Sequence, residues 1–205
     1  MRLLERIDLK QVDDEKLIDL AAKGNTRAFD EFMTRHRLRV FRIACGMVSD
    51  EEDAMDMAQE SFVKAYNSLR KFRGDCSPKT WIDRIIVNTC VDWQRKQKTK
   101  RRLFAVTGGG DEDRPGLEER AVDDSWDTDP IHMMDDKRIQ YVIMEVLSEL
   151  PEKQRAAFIL RHREGHGIRE ISEILNCAEG TAKVHLHRAT QRMREELKPF
   201  IEVES

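Results

Sequence analysis

At 205 residues the chain is long enough for one large or two small domains, and 37% charged residues with only 6% aromatics give it the profile of a charge-laced helical protein. Leu, Ile, Met, Ala, Glu, Lys and Arg dominate, while Gly and Pro are sparse and clustered, which favours helices throughout and leaves no convincing strand. Cys45, Cys76, Cys90 and Cys177 lack the paired spacing of a zinc site or a disulfide framework, and no apolar run approaches the roughly 20 residues that span a membrane.

The net charge of -3 hides a partition. Lys79 to Arg102 carries a local balance of +6, with Asp83 and Asp92 its only acids, whereas Asp111 to Asp129 carries -7. Opposed fields on one chain suggest separate partners, or an acidic segment that mimics nucleic acid. The N-terminus, MRLLERIDLK, is too charged for a signal peptide, so a soluble cytoplasmic protein is expected.

From Asp14 to Ser49 apolar residues recur at helical spacing: Leu17, Leu20 and Ala21, then Phe29, Phe32, Met33, Val40, Ile43 and Ala44. Gly24-Asn25 reads as a helix stop and Thr26 as the cap of the next helix. Ser49 stands three residues before Glu52, the spacing of a capping box, and opens a third helix through Ala54, Met57, Ala58, Phe62, Ala65 and Leu69. Gly74 to Pro78 makes a loop, and Lys79 to Arg95 a fourth helix. Beyond the basic run Arg95–Arg102, the triple Gly108–Gly110, Pro115, Gly116, Pro130 and the acid cluster mark a linker. Periodicity resumes near Met134: Ile139, Val142, Ile143, Val146, Leu147 and Leu150 form one helix. Pro151 then suits the first position of the next, which carries Ala157, Phe158, Ile159 and Leu160. The chain is therefore expected to be all-α: two small helical domains, 1–100 and 132–205, joined by a flexible acidic linker over 101–131.

The most specific signal is GIREISEILNCAEGTAKVHLHRATQRMREEL. Ile168, Ile171, Ile174 and Leu175 give a short amphipathic helix, Asn176-Cys177-Ala178 a compact turn, and Ala182, Leu186, Ala189 and Met193 the inner stripe of a second helix. Alanines on that stripe let two helices cross closely, as a helix-turn-helix requires. The opposite face carries Thr181, Lys183, Val184, His187, Arg188 and Gln191, with no acid from Gly180 to Arg194. Such a face suits a recognition helix in a DNA major groove. A solvated basic face on an ordinary bundle is the alternative that the residues alone leave open.

The segments DAMDMAQESFVKAYNSLRKFRG and TWIDRIIVNTCVDWQRK resemble region two of the extracytoplasmic-function sigma factors, and LPEKQRAAFILRHREGHGIREISEILNCAEGTAKVHLHRA is similar to their region four. The likeness covers about 14–100 and 134–197, in the family's order and with an unmatched linker. It implies a transcription initiation factor that binds core RNA polymerase and directs it to promoter DNA. In the resemblance, the ridge Asp53, Asp56, Gln59, Glu60 and Phe62 docks on the coiled coil of the polymerase beta-prime clamp. The proximal (minus-ten) element would be met by Phe72, Arg73, Lys79, Trp81, Arg84, Asn88, Arg95 and Lys96, with Asn88 at the position that helps hold a base flipped from the duplex. Phe72 to Lys79 matches the family's specificity loop, and Cys76-Ser77-Pro78 is local variation within it. The basic run through Arg102 would grip phosphates without reading sequence. The upstream (minus-thirty-five) element would be read by the recognition helix, where many members carry Ser-Arg in place of Val184-His185. An anti-sigma factor is an implied partner and stress response an implied setting.

An enzyme reading has one toehold, His162, Glu164 and His166. Zinc peptidases place the glutamate beside the first histidine on a continuous helix, and here Gly165 and Gly167 break the helix, so the segment reads as a turn. No catalytic residue, metal or cofactor is expected. The serious rival is a dimeric helix-turn-helix regulator, which explains the recognition helix and leaves the basic helix and the Asp56–Phe62 ridge without purpose.

Overall fold

The computed structural model describes residues 8–106 and 137–201; of the linker expected over 101–131, residues 101–106 are helical and the rest lies outside the described residues. The described residues form eight α-helices, two short 3-10 turns and no strand. Helices α1 (Asp14–Ala22), α2 (Thr26–Met47), α3 (Glu51–Ser68) and α4 (Pro78–Val106) make the first group, and α5 (Lys137–Glu149), α6 (Glu152–His162), α7 (Ile168–Ile174) and α8 (Glu179–Ile201) the second.

The helix ends follow local chemistry, one residue away from the positions expected in three places. Asn25, not Thr26, caps α2: its side chain accepts from the Ala28 N–H at 3.3 Å. The same residue closes α1, where Gly24 at φ +98° lets Gly24 and Asn25 donate back to Ala21 and Leu20. Asp50 rather than Ser49 caps α3, accepting from Glu52 and Asp53 N–H at 2.8 and 3.2 Å, where a charged carboxylate also meets the positive helix end. Pro151 precedes α6 instead of beginning it. The fourth helix is longer than its apolar pattern, starting at Pro78 and carrying the basic run to Val106.

In the first group α2 packs against α1, α3 and α4, burying Leu17, Phe32, Val40, Ile43, Ile82 and Ile86. In the second, α5, α6 and α7 pack on α8, burying Val146, Leu160, Ile171, Ile174, Ala182 and Ala189. The two groups also join. Helix α2 meets α5 and α6, α4 meets α7, and the buried apolar residues form one continuous cluster. At the tightest point Gly46 of α2 faces Ile159 of α6, where a Cβ on residue 46 would lie 2.8 Å from the Ile159 Cδ1. Glycine inside a helix costs about 1 kcal/mol against alanine, so this close approach is what gives Gly46 its place.

Candidate nucleic-acid interface

Helix α8, the expected recognition helix, is built from its seat outward. Ala182 and Ala189 are fully buried and Met193 nearly so, which fixes α8 on its neighbours. The preceding turn is a Schellman closure: Asn176 takes φ +48° and donates to Glu173, while Cys177 donates to Ser172. An asparagine tolerates that left-handed conformation, so α7 stops and α8 starts within a few residues. With the seat fixed, Thr181, Lys183, Val184, His187, Arg188 and Gln191 all point to solvent together. Val184 is 47% exposed, an apolar side chain in water amid basic ones. Arg192 is held by Glu149 at 3.2 Å and Glu196 at 2.9 Å, and Gln191 bonds Glu195. Burial, with Lys153 and Arg188 nearby, lowers the pKa of His185 at the edge of this face.

Helix α4 divides the residues expected at the proximal element. Lys79, Asn88, Arg95 and Lys96 are exposed on it, and Arg73 is exposed in the loop before it. Trp81 is 9% exposed, its ring centroid 5.0 Å from Phe72 and 6.4 Å from Phe32, so Trp81 and half-buried Phe72 anchor the loop to the core. Ser77 sets the start of α4 by accepting from the Thr80 N–H at 3.1 Å. Arg84 is turned toward the second group of helices, lining a cavity of about 370 Å³ with Ser172, Glu173, Asn176 and Cys177.

Helix α3 carries the residues of the expected acidic ridge. Asp56, Gln59 and Glu60 are exposed, Asp53 and Phe62 partly covered. Burial, reinforced by Asp50, Asp56 and Glu52, raises the pKa of Asp53, a repulsion that a cationic partner would relieve. Three exposed apolar side chains that the sequence reading passed over, Met55, Val63 and Tyr66, lie on this helix. An acid-and-apolar surface fits a partner offering both cations and apolar contact.

His162, Glu164 and His166 do not converge. The His162 ring lies 4.5 Å from that of Phe158, while Glu164 and His166 turn inward between the two helix groups. Among the described residues no three His, Cys, Asp or Glu side chains are grouped to hold a metal ion. The inward pair instead joins Arg39 and Asp83. Arg39 grips Asp83 through Nε at 3.1 Å and Nη2 at 2.7 Å, and reaches Glu164 through Nη1 at 2.7 Å. His166 Nε2 lies 2.6 Å from the second Asp83 oxygen, and Nδ1 3.4 Å from Glu170. Burial pushes the Asp83 carboxyl up, but hydrogen bonds from His166 and Arg39 outweigh it and hold the pKa below the usual range; burial keeps that of Glu164 above it. This cluster was missed from sequence, although an acid at Asp83 beside core-facing Ile82, Ile86 and Val87 was a usable signal.

Residues 32–100 match the family described as Sigma-70 region 2, and residues 141–193 that described as Sigma-70, region 4. The chain is 29% identical over 193 residues to the RNA polymerase sigma-H factor of Pseudomonas aeruginosa, covering 94% of this chain and 98% of that one. It is 28% identical over 195 residues to the ECF RNA polymerase sigma-E factor of Escherichia coli, with the same coverage. Among solved structures it is similar to CnrH in complex with the cytosolic domain of CnrY, at a TM-score of 0.60, 22% identity, and 94% and 99% of the two chains. It is similar also to the sigma factor RpoE bound to the anti-sigma factor NepR from Bartonella quintana, at 0.62, 21%, and 83% and 96%. These likenesses establish the fold.

Proposed function

The chain belongs to the extracytoplasmic-function sigma factors, and we propose that it binds core RNA polymerase and directs it to promoter DNA, reading the upstream element with α8 and opening the proximal element with α4. The observation that carries this reading is the pairing, on one chain, of an acid-free exposed recognition face with a basic helix ending in six cations between Arg95 and Arg102.

The parts have distinct work. Lys183 and Arg188 can bond guanine edges or phosphates, and Val184 offers an apolar surface to a thymine methyl. The Asn88 amide can donate to and accept from a displaced base, trapping a state that otherwise loses a few kcal/mol of stacking. Arg95, Lys96 and the cations that follow hold phosphates. The α3 ridge docks on the clamp coiled coil of the polymerase. Residues 1–100 act as the docking and melting unit, 101–131 as the tether and 132–205 as the upstream reader. The chain catalyses no reaction of its own, works in the cytoplasm, serves a stress response and is restrained by an anti-sigma factor. No helix among the described residues is long and apolar enough to cross a membrane.

DNA selection with and without core polymerase tests the reading. Two small readers offer few contacts each, and their joint affinity depends on a fixed separation. Specific promoter fragments should be enriched only when core polymerase is present. Nanomolar sequence-specific binding by the free protein at physiological salt would overturn the reading in favour of a simple regulator.

A further inference from the structure

We infer that the last turns of α4 clamp paired DNA at the upstream edge of the opened segment: Arg95 and Arg102 hold one strand each across the minor groove, just upstream of the base that Asn88 traps. The inference rests on the proposed function for Asn88 and the promoter. The choice of two cations out of six, one for each strand, comes from the helix.

The end of α4 has no core to serve. Among the described side chains Val91 is the last that α4 buries, and from Asp92 to Leu103 none is buried. The helix continues there because Lys, Gln and Arg are strong helix formers. It does so against its own charge. Lys96 with Lys100, and Lys98 with Arg102, are like-charged pairs at i, i+4, a spacing that opposes helix formation. A rod of cations with nothing of its own to bury suits a polyanion, which supplies the missing counter-charge.

Helical phase sorts the six cations. At about 100° per residue, Arg95 and Arg102 fall within roughly 40° of the line through Asn88, the three standing about two turns apart along one side of the rod. All three are exposed. Lys96, Lys98, Lys100 and Arg101 lie about 80° or more from that line. Lys98 is paired there with Glu152 of α6. Arg95 stands 3.9 Å from Asp92 with both side chains more than half exposed, which leaves its guanidinium open to an anion.

The spacing selects the groove. Seven residues at 1.5 Å each put Arg95 about 10.5 Å, and Arg102 about 21 Å, beyond Asn88 along the axis. The minor groove is about 6 Å wide and the major groove about 12 Å; between phosphate centres these widths become about 12 and 18 Å. The interval from Arg95 to Arg102 therefore fits the minor groove and falls well short of the major one. Both ends carry arginine, whose planar fork can take a phosphate by two bonds. Chain order sets the direction. Helix α4 runs from Asn88 toward the segment that leads to α8, the proposed upstream reader, so the rod extends upstream onto DNA that is still paired. Fixing both strands there gives the opened segment a defined upstream edge.

Ethylation interference on a selected promoter, read on each strand with holoenzyme, tests the clamp. Ethylating a phosphate removes its charge, so a held phosphate appears as a position where modification prevents binding. The wild type should show one site on each strand, about three and about six base pairs upstream of the trapped base at 3.4 Å per pair. Arg95→Ala should erase the nearer site alone and Arg102→Ala the farther site alone, each weakening all promoters alike and lowering the salt slope by about one. Lys100→Ala removes the same charge from another side of the rod and should leave both sites in place. Sites confined to one strand, sites only on the melted side, or the same loss in Lys100→Ala would overturn the clamp. Initiation at a promoter with neither site present would overturn it and leave the proposed function standing. Absence of any promoter-directed initiation would remove the proposed function and the clamp with it.

Discussion

Arg155 on α6, 7% exposed, donates through Nη1 to the carbonyl of Met47, the last residue of α2, across 2.6 Å. Its other guanidinium arm donates to Leu150 at 3.3 Å and to the Ser148 carbonyl. A buried cation thus serves two helix ends, where the carbonyl dipoles favour positive charge. Burial lowers the Arg155 pKa, so the charge is kept at some cost for the bonds it makes.

Replacing Arg155 should therefore destabilise the fold. Arg155→Met removes its bonds to the Ser148 and Leu150 carbonyls and leaves the Met47 carbonyl only the bond from the Gln94 amide, and should cost about 1–3 kcal/mol, read as a lower urea midpoint. Arg155→Lys should recover little of this, because one ammonium cannot reproduce a planar fork spanning two segments.

On α3 the effect should fall on binding and spare stability. Asp56 and Gln59 are exposed with buried Met57 and Ala58 between them. Changing both to alanine should leave the melting temperature within about 2 °C, since exposed substitutions shift stability by about 0.5 kcal/mol or less. Co-purification with core polymerase should drop. Retention at the wild-type level would move the docking surface elsewhere.

Much of this was legible in the sequence because it depends on local pattern. The helices, the buried stripe of Ala182, Ala189 and Met193, and the solvent face of α8 follow from 3.6-residue spacing that tertiary structure had no reason to override. Cap positions slipped by one residue because Ser49 and Asp50, or Asn25 and Thr26, are both competent caps, and backbone geometry decides between them. The joined core was not legible. Arg39, Asp83 and His166 are 44 to 127 positions apart, and only the fold brings them together.

Glu164 should give the interface a pH signature. The charged and titratable groups around it are Arg39 and Arg42 from α2, Asp83 from α4, and Arg163 and His166 from its own turn. A raised carboxyl contributes stability that is full below its ordinary value of 4.5 and lost as pH rises through the higher folded value. Asp83 is lowered and acts oppositely, its contribution lost only as pH falls below its ordinary 3.8. Glu164→Gln should therefore gain stability relative to wild type as pH rises from 4.5 toward 7. A difference in melting temperature that stays constant over that span would mean Glu164 does not titrate there.

Val184→Ser alters one exposed side chain on the recognition face without changing charge. Selection of promoter variants with holoenzyme should show preference moving at a single upstream base pair, with a lost methyl contact costing about 1–3 kcal/mol. An unchanged profile would place Val184 outside the groove.

Asn88→Ala should impair promoter opening more than initial binding, by about tenfold if the lost bonds are worth roughly 1–2 kcal/mol. Templates already melted at the proximal element should rescue part of the defect. Equal defects on duplex and melted templates would refute base trapping.

Run-off transcription on genomic fragments, with core polymerase in the presence and absence of the purified chain, tests the central claim most directly. The account predicts discrete transcripts that appear only with the chain and start a fixed distance downstream of a shared two-part sequence. Transcripts identical in number and position to those of core polymerase alone would contradict it.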